Sequence, residues 1–181
     1  EPIKQSFRGY TLHEIPPNGQ GLAALIALGI LDHFDLAGMG LDSPDYYHVG
    51  LEAMKLAFAD LHKYVADAPA MLPVSAAHLL DSAYLAERAK LIDMKRAANP
   101  GPGTPKTGGT VYLASADAAG TMVSYIQSNY HGFGSGVVVP GTGISLHNRG
   151  EGFSLVSGHP NIVAPGKRPM HTIIPGFITR D

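Results

Sequence analysis

The chain has 181 residues, 45% of them hydrophobic and 15% charged, with a net charge of −2; this is the size and balance of about one globular domain with a sizeable core. The charge excludes the basic footprint of a nucleic-acid binder and of a protein held electrostatically on anionic membranes. No cysteine is present, which also excludes disulfides and thiolate metal sites.

The chain opens Glu1-Pro2-Ile3-Lys4, without an initiating Met or a signal-like segment, and reads as a piece of a longer protein. Its longest apolar run, Leu22 to Leu31, is too short to span a bilayer. Residues 6 to 15 set Phe7, Tyr10, Leu12 and Ile15 among polar residues, which predicts a strand ended by Pro16-Pro17-Asn18-Gly19. A helix is expected from about Gln20 to Phe34. Its small residues (Ala23, Ala24, Ala27) and large ones (Leu25, Leu28, Leu31) suit burial on most sides.

Ser43-Pro44 is a helix start, with Ser as N-cap, Pro at the first helical position and Asp45 near the positive end of the dipole. The series Tyr47, Leu51, Met54, Phe58, Leu61, Val65 predicts the buried face of that helix, leaving Glu52, Lys55, Asp60 and Lys63 mostly off the stripe. A last helix is expected over Ala83 to about Lys95, capped by Asp81 or Ser82. Asn99 to Gly109 alternates Pro and Gly and reads as a linker.

The linker runs into Gly109-Thr110 and then two β-rich runs, Val111 to Ala116 and Met122 to Gln127. Between them Asp117-Ala118-Ala119-Gly120 supplies a turn starter and a closing Gly, so a hairpin is expected. A Thr freed at its N-terminus by a cut after Gly109 would carry its own base, because its α-amino group, with a reference pKa of roughly 7.7 to 8.0, can take the proton from Oγ. Thr110 is therefore the candidate nucleophile. Gly132-Phe133-Gly134-Ser135-Gly136 lacks the following Lys-Ser/Thr and helix of a phosphate loop. Short strands are expected at Val137 to Val139 and Ile144 to Leu146, and the apolar tail Ile173 to Ile178 starts another. The nine histidines include no His-x-x-x-His pair, so no metal site is expected, and no cofactor motif stands out. Lys106, Arg149, Lys167 and Arg168 read as solvated charges, with Arg149 placed to attract a substrate carboxylate.

Several segments, in one order over nearly the whole length, resemble the γ-glutamyltranspeptidases, a family of N-terminal nucleophile hydrolases. They are Pro16-Pro17-Asn18-Gly19-Gln20-Gly21, the run His48 to Asp60, the hairpin after Thr110, Phe133-Gly134-Ser135-Gly136, and Pro165-Gly166-Lys167-Arg168-Pro169. The resemblance implies an α+β fold, part of an αββα sandwich truncated at both ends. It implies a precursor cut between Gly109 and Thr110, with residues 1–109 closing a large subunit, mainly helical, and residues 110–181 opening a small one, mainly β. The two would form a heterodimer.

By the same resemblance Ser128 is the second hydroxyl that supports Thr110, and Asn148 matches an Asn of the family's Leu-Asn-Asn segment. Three departures bear on the substrate. Gly152 stands before Phe153 where an Asp binds the substrate ammonium, His171-Thr172 replace serines that hold its carboxylate, and Tyr130 replaces an Asn or acidic residue. Gly152 has no side chain to pair with an ammonium ion, while Thr172 can donate a hydroxyl and His171 can meet a carboxylate. The implied activity is a self-processing γ-glutamyltransferase or glutathione hydrolase, acting on γ-glutamyl amides with water or an amine as acceptor. The alternatives are an acylase using Thr110 on another acyl group, and an unprocessed homologue without catalysis. The family's carboxylate-binding Arg and its Gly-Gly oxyanion hole fall outside this sequence, so the piece by itself is expected to be inert. Family precedent for location is periplasmic, secreted or membrane-anchored.

Overall fold

The structure, a computed structural model, describes residues 1–99 and 111–180. Helices and strands are mixed. β1 (Ile3–Phe7) and β2 (Tyr10–Glu14) form an antiparallel hairpin, with Phe7 opposite Tyr10. The single strand expected over 6 to 15 is thus two strands and a turn. Arg8 and Gly9 both take positive φ, 54° and 82°, the signature of a tight two-residue hairpin turn. Arg8 gives no hint of that conformation in sequence, since positive φ is uncommon for a residue with a Cβ.

α1 (Gly21–Leu31) is buried on nearly all sides, as expected, and stops short of Phe34. It packs on β1, β2 and two further helices, α3 (Pro44–Tyr64) and α5 (Ser82–Ala89), and so forms the hub of the core. Gly29 leaves room for α5: a Cβ there would lie 2.4 Å from Leu85 Cδ1. Between these helices stand two single turns, α2 (Leu36–Met39) and α4 (Ala76–Leu79).

α3 begins as its sequence requires, with Ser43 Oγ accepting from the Tyr46 N–H at 3.1 Å and Pro44 in the first turn. Its buried face matches the expected one only at the C-terminal end, where Leu61 and Val65 are buried. Val49, Glu52, Ala53, Leu56, Ala57, Asp60 and Leu61 point inward, whereas Tyr47, Leu51 and Met54 are exposed and Phe58 is half-buried. The reason is shape and pairing: Ala53 and Ala57 belong to the same core cluster as Ala23 and Ala27 of α1, and small residues permit close helix approach. The two acids are paired as they enter. Glu52 meets Lys55 Nζ at 2.6 Å and accepts the Ala98 N–H at 3.0 Å, while Asp60 meets Arg88 Nη2 at 2.9 Å. Burial works against ionisation of Glu52, but the Lys55 and Ala98 hydrogens outweigh it and hold that carboxyl below its ordinary range.

α5 is capped by Asp81, which accepts from the Tyr84 N–H, and ends at Ala89 rather than near Lys95. β3 (Val111–Ala116) and β4 (Met122–Gln127) form the expected hairpin, pairing Val111 with Gln127. Asp117 Oδ1 accepts the Ala119 and Thr121 N–H groups at 2.9 Å each, and Gly120 takes φ +86°. β5 (Val138–Val139) and β6 (Ile144–Ser145) make a second small hairpin. β7 (Phe177–Arg180) is the strand begun by the tail, and it pairs antiparallel with β2. Elements from before and after the linker therefore share one three-stranded sheet, β1-β2-β7. The linker itself lies outside the described residues, apart from Asn99. Among the described residues no helix is long and apolar enough to cross a membrane.

Candidate functional site

Three segments converge where β4 ends. The first is Ser128 to His131. Ser128 Oγ accepts the Tyr130 N–H at 2.9 Å, closing a tight turn in which Tyr130 takes φ +79°. The second is the loop 147–153, held against the first segment. The Asn148 N–H donates to the Asn129 carbonyl at 3.3 Å, and Asn148 Oδ1 accepts the His131 N–H at 3.1 Å. Asn148 Nδ2 in turn donates to Glu151 Oε2 at 3.3 Å. The glycine-rich turn buttresses this loop: Ser135 N–H and Oγ both donate to the Leu146 carbonyl, at 2.9 and 2.8 Å. A Cβ on Gly134, which has φ +66°, would meet that carbonyl at 2.5 Å.

The third segment, Pro169 to Thr172, is tied on both sides. The His171 N–H donates to the Asn18 carbonyl at 2.9 Å, and the Gln20 N–H donates to the His171 carbonyl at 2.8 Å. Asn18 Nδ2 also donates to the Pro169 carbonyl. Asn161, buried, donates from Nδ2 to the Gly152 carbonyl at 2.7 Å and accepts the Met170 N–H at 3.0 Å on Oδ1, so it clamps the second and third segments together. Asn18 and Asn161 were not singled out as site residues from the sequence. Asn18 lies in the Pro-Pro-Asn-Gly-Gln-Gly segment, which read as a turn and as a piece of the family resemblance but not as part of the site, and Asn161 carries no motif.

Lys167 and Arg168 are not free charges. Lys167 Nζ donates to the carbonyls of Pro160 and Ile162, the latter at 3.0 Å. Arg168 Nε and Nη2 reach Asp67 Oδ1 at 2.9 and 2.6 Å. They anchor the third segment to its own loop and to the end of α3.

Arg149 sits at the convergence. It is 5% exposed, and its guanidinium donates to Thr172 Oγ1 at 3.2 Å and to the Ser128 carbonyl at 3.4 Å, with the Tyr130 ring centroid 5.4 Å from Cζ. Burial lowers its pKa, and among the described residues no carboxylate pairs with it. Beside it, the His171 pKa is pushed down to about 4, by burial first and then by the Arg149 and His147 charges. His171 is therefore neutral near pH 7. His171 Nδ1 accepts the Ile173 N–H at 3.3 Å, which leaves Nε2 as the protonated nitrogen. Gly152 is close-packed for a steric reason: a Cβ there would lie 2.9 Å from the Met170 carbonyl oxygen.

Ser128, Tyr130, Arg149, His171 and Thr172 are thus brought together, with Asn148 and Gly152 in the supporting loop. Gly109 and Thr110 lie outside the described residues. No group of three His, Asp or Glu that would hold a metal forms among the described residues.

A family model described as gamma-glutamyltranspeptidase matches residues 1–181. The chain is 39% identical over 179 residues to the glutathione hydrolase-like YwrD proenzyme of Bacillus subtilis (strain 168), covering 99% of the chain and 34% of that relative. It is 41% identical over 174 residues to the oxamate amidohydrolase proenzyme of Klebsiella pneumoniae, covering 96% and 32%. The crystal structure of cephalosporin acylase from Bacillus halodurans matches with a TM-score of 0.91 at 56% identity, over 100% of the chain and 32% of the acylase chain. The chain therefore spans about a third of the length of these relatives, and its α+β fold is that of the N-terminal nucleophile hydrolases along its whole length.

Proposed function

The chain belongs to the γ-glutamyltranspeptidase family, and on that premise we propose that the whole protein is a self-processing amide hydrolase or acyltransferase whose nucleophile is Thr110. Its substrates are γ-glutamyl amides of the glutathione type. The observation that carries this reading is the convergence at the end of β4. Gln127 pairs with Val111, the residue covalently next to Thr110, and Ser128 follows, its carbonyl accepting from Arg149, which also donates to Thr172.

In processing, Thr110 Oγ attacks the Gly109 carbonyl carbon, the peptide nitrogen leaves as the Thr110 amine, and water hydrolyses the resulting ester. The products are a Gly109 carboxylate and a Thr110 with free hydroxyl and amine. Gly109 leaves the carbonyl unshielded by any side chain. Turnover repeats the attack on a substrate amide: the α-amine takes the Oγ proton, an acyl ester forms, the substrate amine departs with a proton, and water or an acceptor amine releases the acyl group. Ser128 supplies a hydroxyl to support Thr110. Residues 1–109 then belong to a large subunit and those from Thr110 onward to a small one, joined as a heterodimer.

A second reading, an acylase acting on a non-glutamyl acyl group, is favoured by two features. The site has a buried cation in Arg149 and no side chain at Gly152.

Intact mass of the full-length protein under denaturing conditions tests both readings at their common step. Two fragments meeting at Gly109/Thr110, and one uncut chain for Thr110→Ala, are expected. An uncut wild-type protein would remove Thr110 from the chemistry and leave a scaffold or binding role.

A further inference from the structure

We infer that Asp67 is a positioning residue for the site: through its grip on Arg168, the part of the chain before the linker fixes where the segment Lys167 to Thr172 stands, and this contact keeps the site in register once the chain is cut. The inference rests on the cut at Gly109/Thr110 proposed above and names the surface by which one product holds the other.

Asp67 is rooted in the core on its own side. Val65 and Ala66, both buried, precede it at the end of α3. Its carboxylate reaches a residue 101 positions further along the chain. Oδ1 accepts from Arg168 Nε and Nη2 at 2.9 and 2.6 Å, and Oδ2 accepts the Arg168 N–H at 3.3 Å. The hydrogen bonds from Arg168 outweigh burial and hold the Asp67 carboxyl below its ordinary range.

A solvent-facing ion pair adds little to stability, and the Arg168 side chain is 64% exposed against 15% for Asp67. The bond to the main chain sets this pair apart. It places a backbone atom and not only a flexible tip, so the residues that follow inherit the placement. Pro169 comes next, its φ fixed by the ring and its carbonyl accepting from Asn18 Nδ2. The Met170 N–H donates to Asn161 Oδ1 at 3.0 Å, and the Met170 side chain packs on the core cluster. The His171 N–H and carbonyl then bond Asn18 and Gln20. Four consecutive residues are held by Asp67, Asn18, Asn161 and Gln20, and three of those four holders lie before the linker. Thr172, which meets Arg149, follows directly. A segment beyond the cut therefore takes its register from residues ahead of it. Once the peptide bond is gone, contacts of this kind carry that register, together with the β2–β7 pairing. Among the three holders before the linker, Asp67 is the charged one.

The test uses the full-length, processed protein with γ-glutamyl p-nitroanilide as the probe. Asp67→Asn offers one acceptor oxygen in place of two, so its Nδ2 faces either the guanidinium or the Arg168 N–H, donor against donor. It is expected to lower kcat/KM on the order of tenfold, within the range for a small misplacement of catalytic groups. Arg168→Gln keeps the main-chain bond and should lose less, and the double variant should lose no more than Asp67→Asn alone. Hydrogen exchange gives a readout independent of turnover: the Met170, His171 and Thr172 amides should exchange at least tenfold faster in Asp67→Asn, with those of α1 unchanged. A pair that is only a surface contact would leave kcat/KM and these amides as in the wild type. A pair that only stabilises the fold would lower the thermal midpoint and speed exchange alike in α1 and in this segment. Either result, or losses that add in the double variant, overturns the proposal. An uncut wild-type protein would overturn the nucleophile reading instead, and exchange measured on that uncut chain would still decide whether Asp67 holds the segment.

Discussion

Arg149 donates to Thr172 Oγ1 at 3.2 Å, joining the loop after β6 to the segment that leads into β7. The bond makes Thr172 the orienting partner of the buried guanidinium. Thr172→Val keeps the shape and removes the acceptor. Because one hydrogen bond of this kind is worth about 1 kcal/mol net, KM for an acyl amide in the full-length protein is expected to rise about five- to tenfold with kcat nearly unchanged. A fall in kcat at constant KM would assign Thr172 to the chemistry.

His171 makes stability depend on pH in a defined direction. Its folded pKa, about 4, lies below the ordinary value of roughly 6.5. Between these values the unfolded chain binds a proton that the folded chain does not, so this contribution to stability is present above about pH 6.5 and is lost as pH falls toward 4. Urea midpoints of the wild type and His171→Gln, measured from pH 4 to 7.5, should converge as pH falls. Parallel curves would show that His171 titrates alike in both states.

The Asp60–Arg88 pair is buried, with side chains 7% and 19% exposed, whereas Glu87 and Lys90 meet with both side chains 69% exposed. Arg88→Met leaves the Asp60 carboxylate without its charged partner, with only the Tyr84 hydroxyl to meet it, and should cost about 3 kcal/mol, while Lys90→Ala should cost less than about 0.5 kcal/mol. Denaturant unfolding of the full-length protein measures both. Equal effects would mean that Asp60 finds another partner or protonates at no cost.

Gly152→Ala places a Cβ 2.9 Å from the Met170 carbonyl oxygen, and that backbone is held by Asn161. The expected cost is about 1–3 kcal/mol, with a loss of activity because the segment bearing His171 and Thr172 shifts. Wild-type stability in Gly152→Ala would show that this segment yields freely.

Local chemistry was legible in the sequence. Ser43-Pro44 caps α3, Asp81 caps α5, Asp117 and Gly120 shape the β3–β4 turn, and the quoted segments carry the family. Each of these rests on residues within a few positions of one another, where side chain and backbone meet without help from the rest of the chain. Thr110 and Gly109 stand out by the same local logic, through the Gly-Gly-Thr before a strand.

The inward face of α3 was not legible, because hydrophobicity alone pointed to Tyr47, Leu51 and Met54. Small residues let α1 approach along Ala53 and Ala57, and pairing with Lys55 and Arg88 lets Glu52 and Asp60 turn inward. Nor could spacing show that β7 joins β2, that Asn161 clamps Gly152 to Met170, or that Arg149 is buried beside Thr172 and Ser128. These are contacts between residues far apart in sequence, and their energy depends on which groups exclude water together. The sequence by itself determined the caps of α3 and α5, the β3–β4 hairpin with its turn, and the family; tertiary structure alone decided which charges are buried, because burial and pairing belong to the assembled surroundings of a residue and not to its neighbours along the chain.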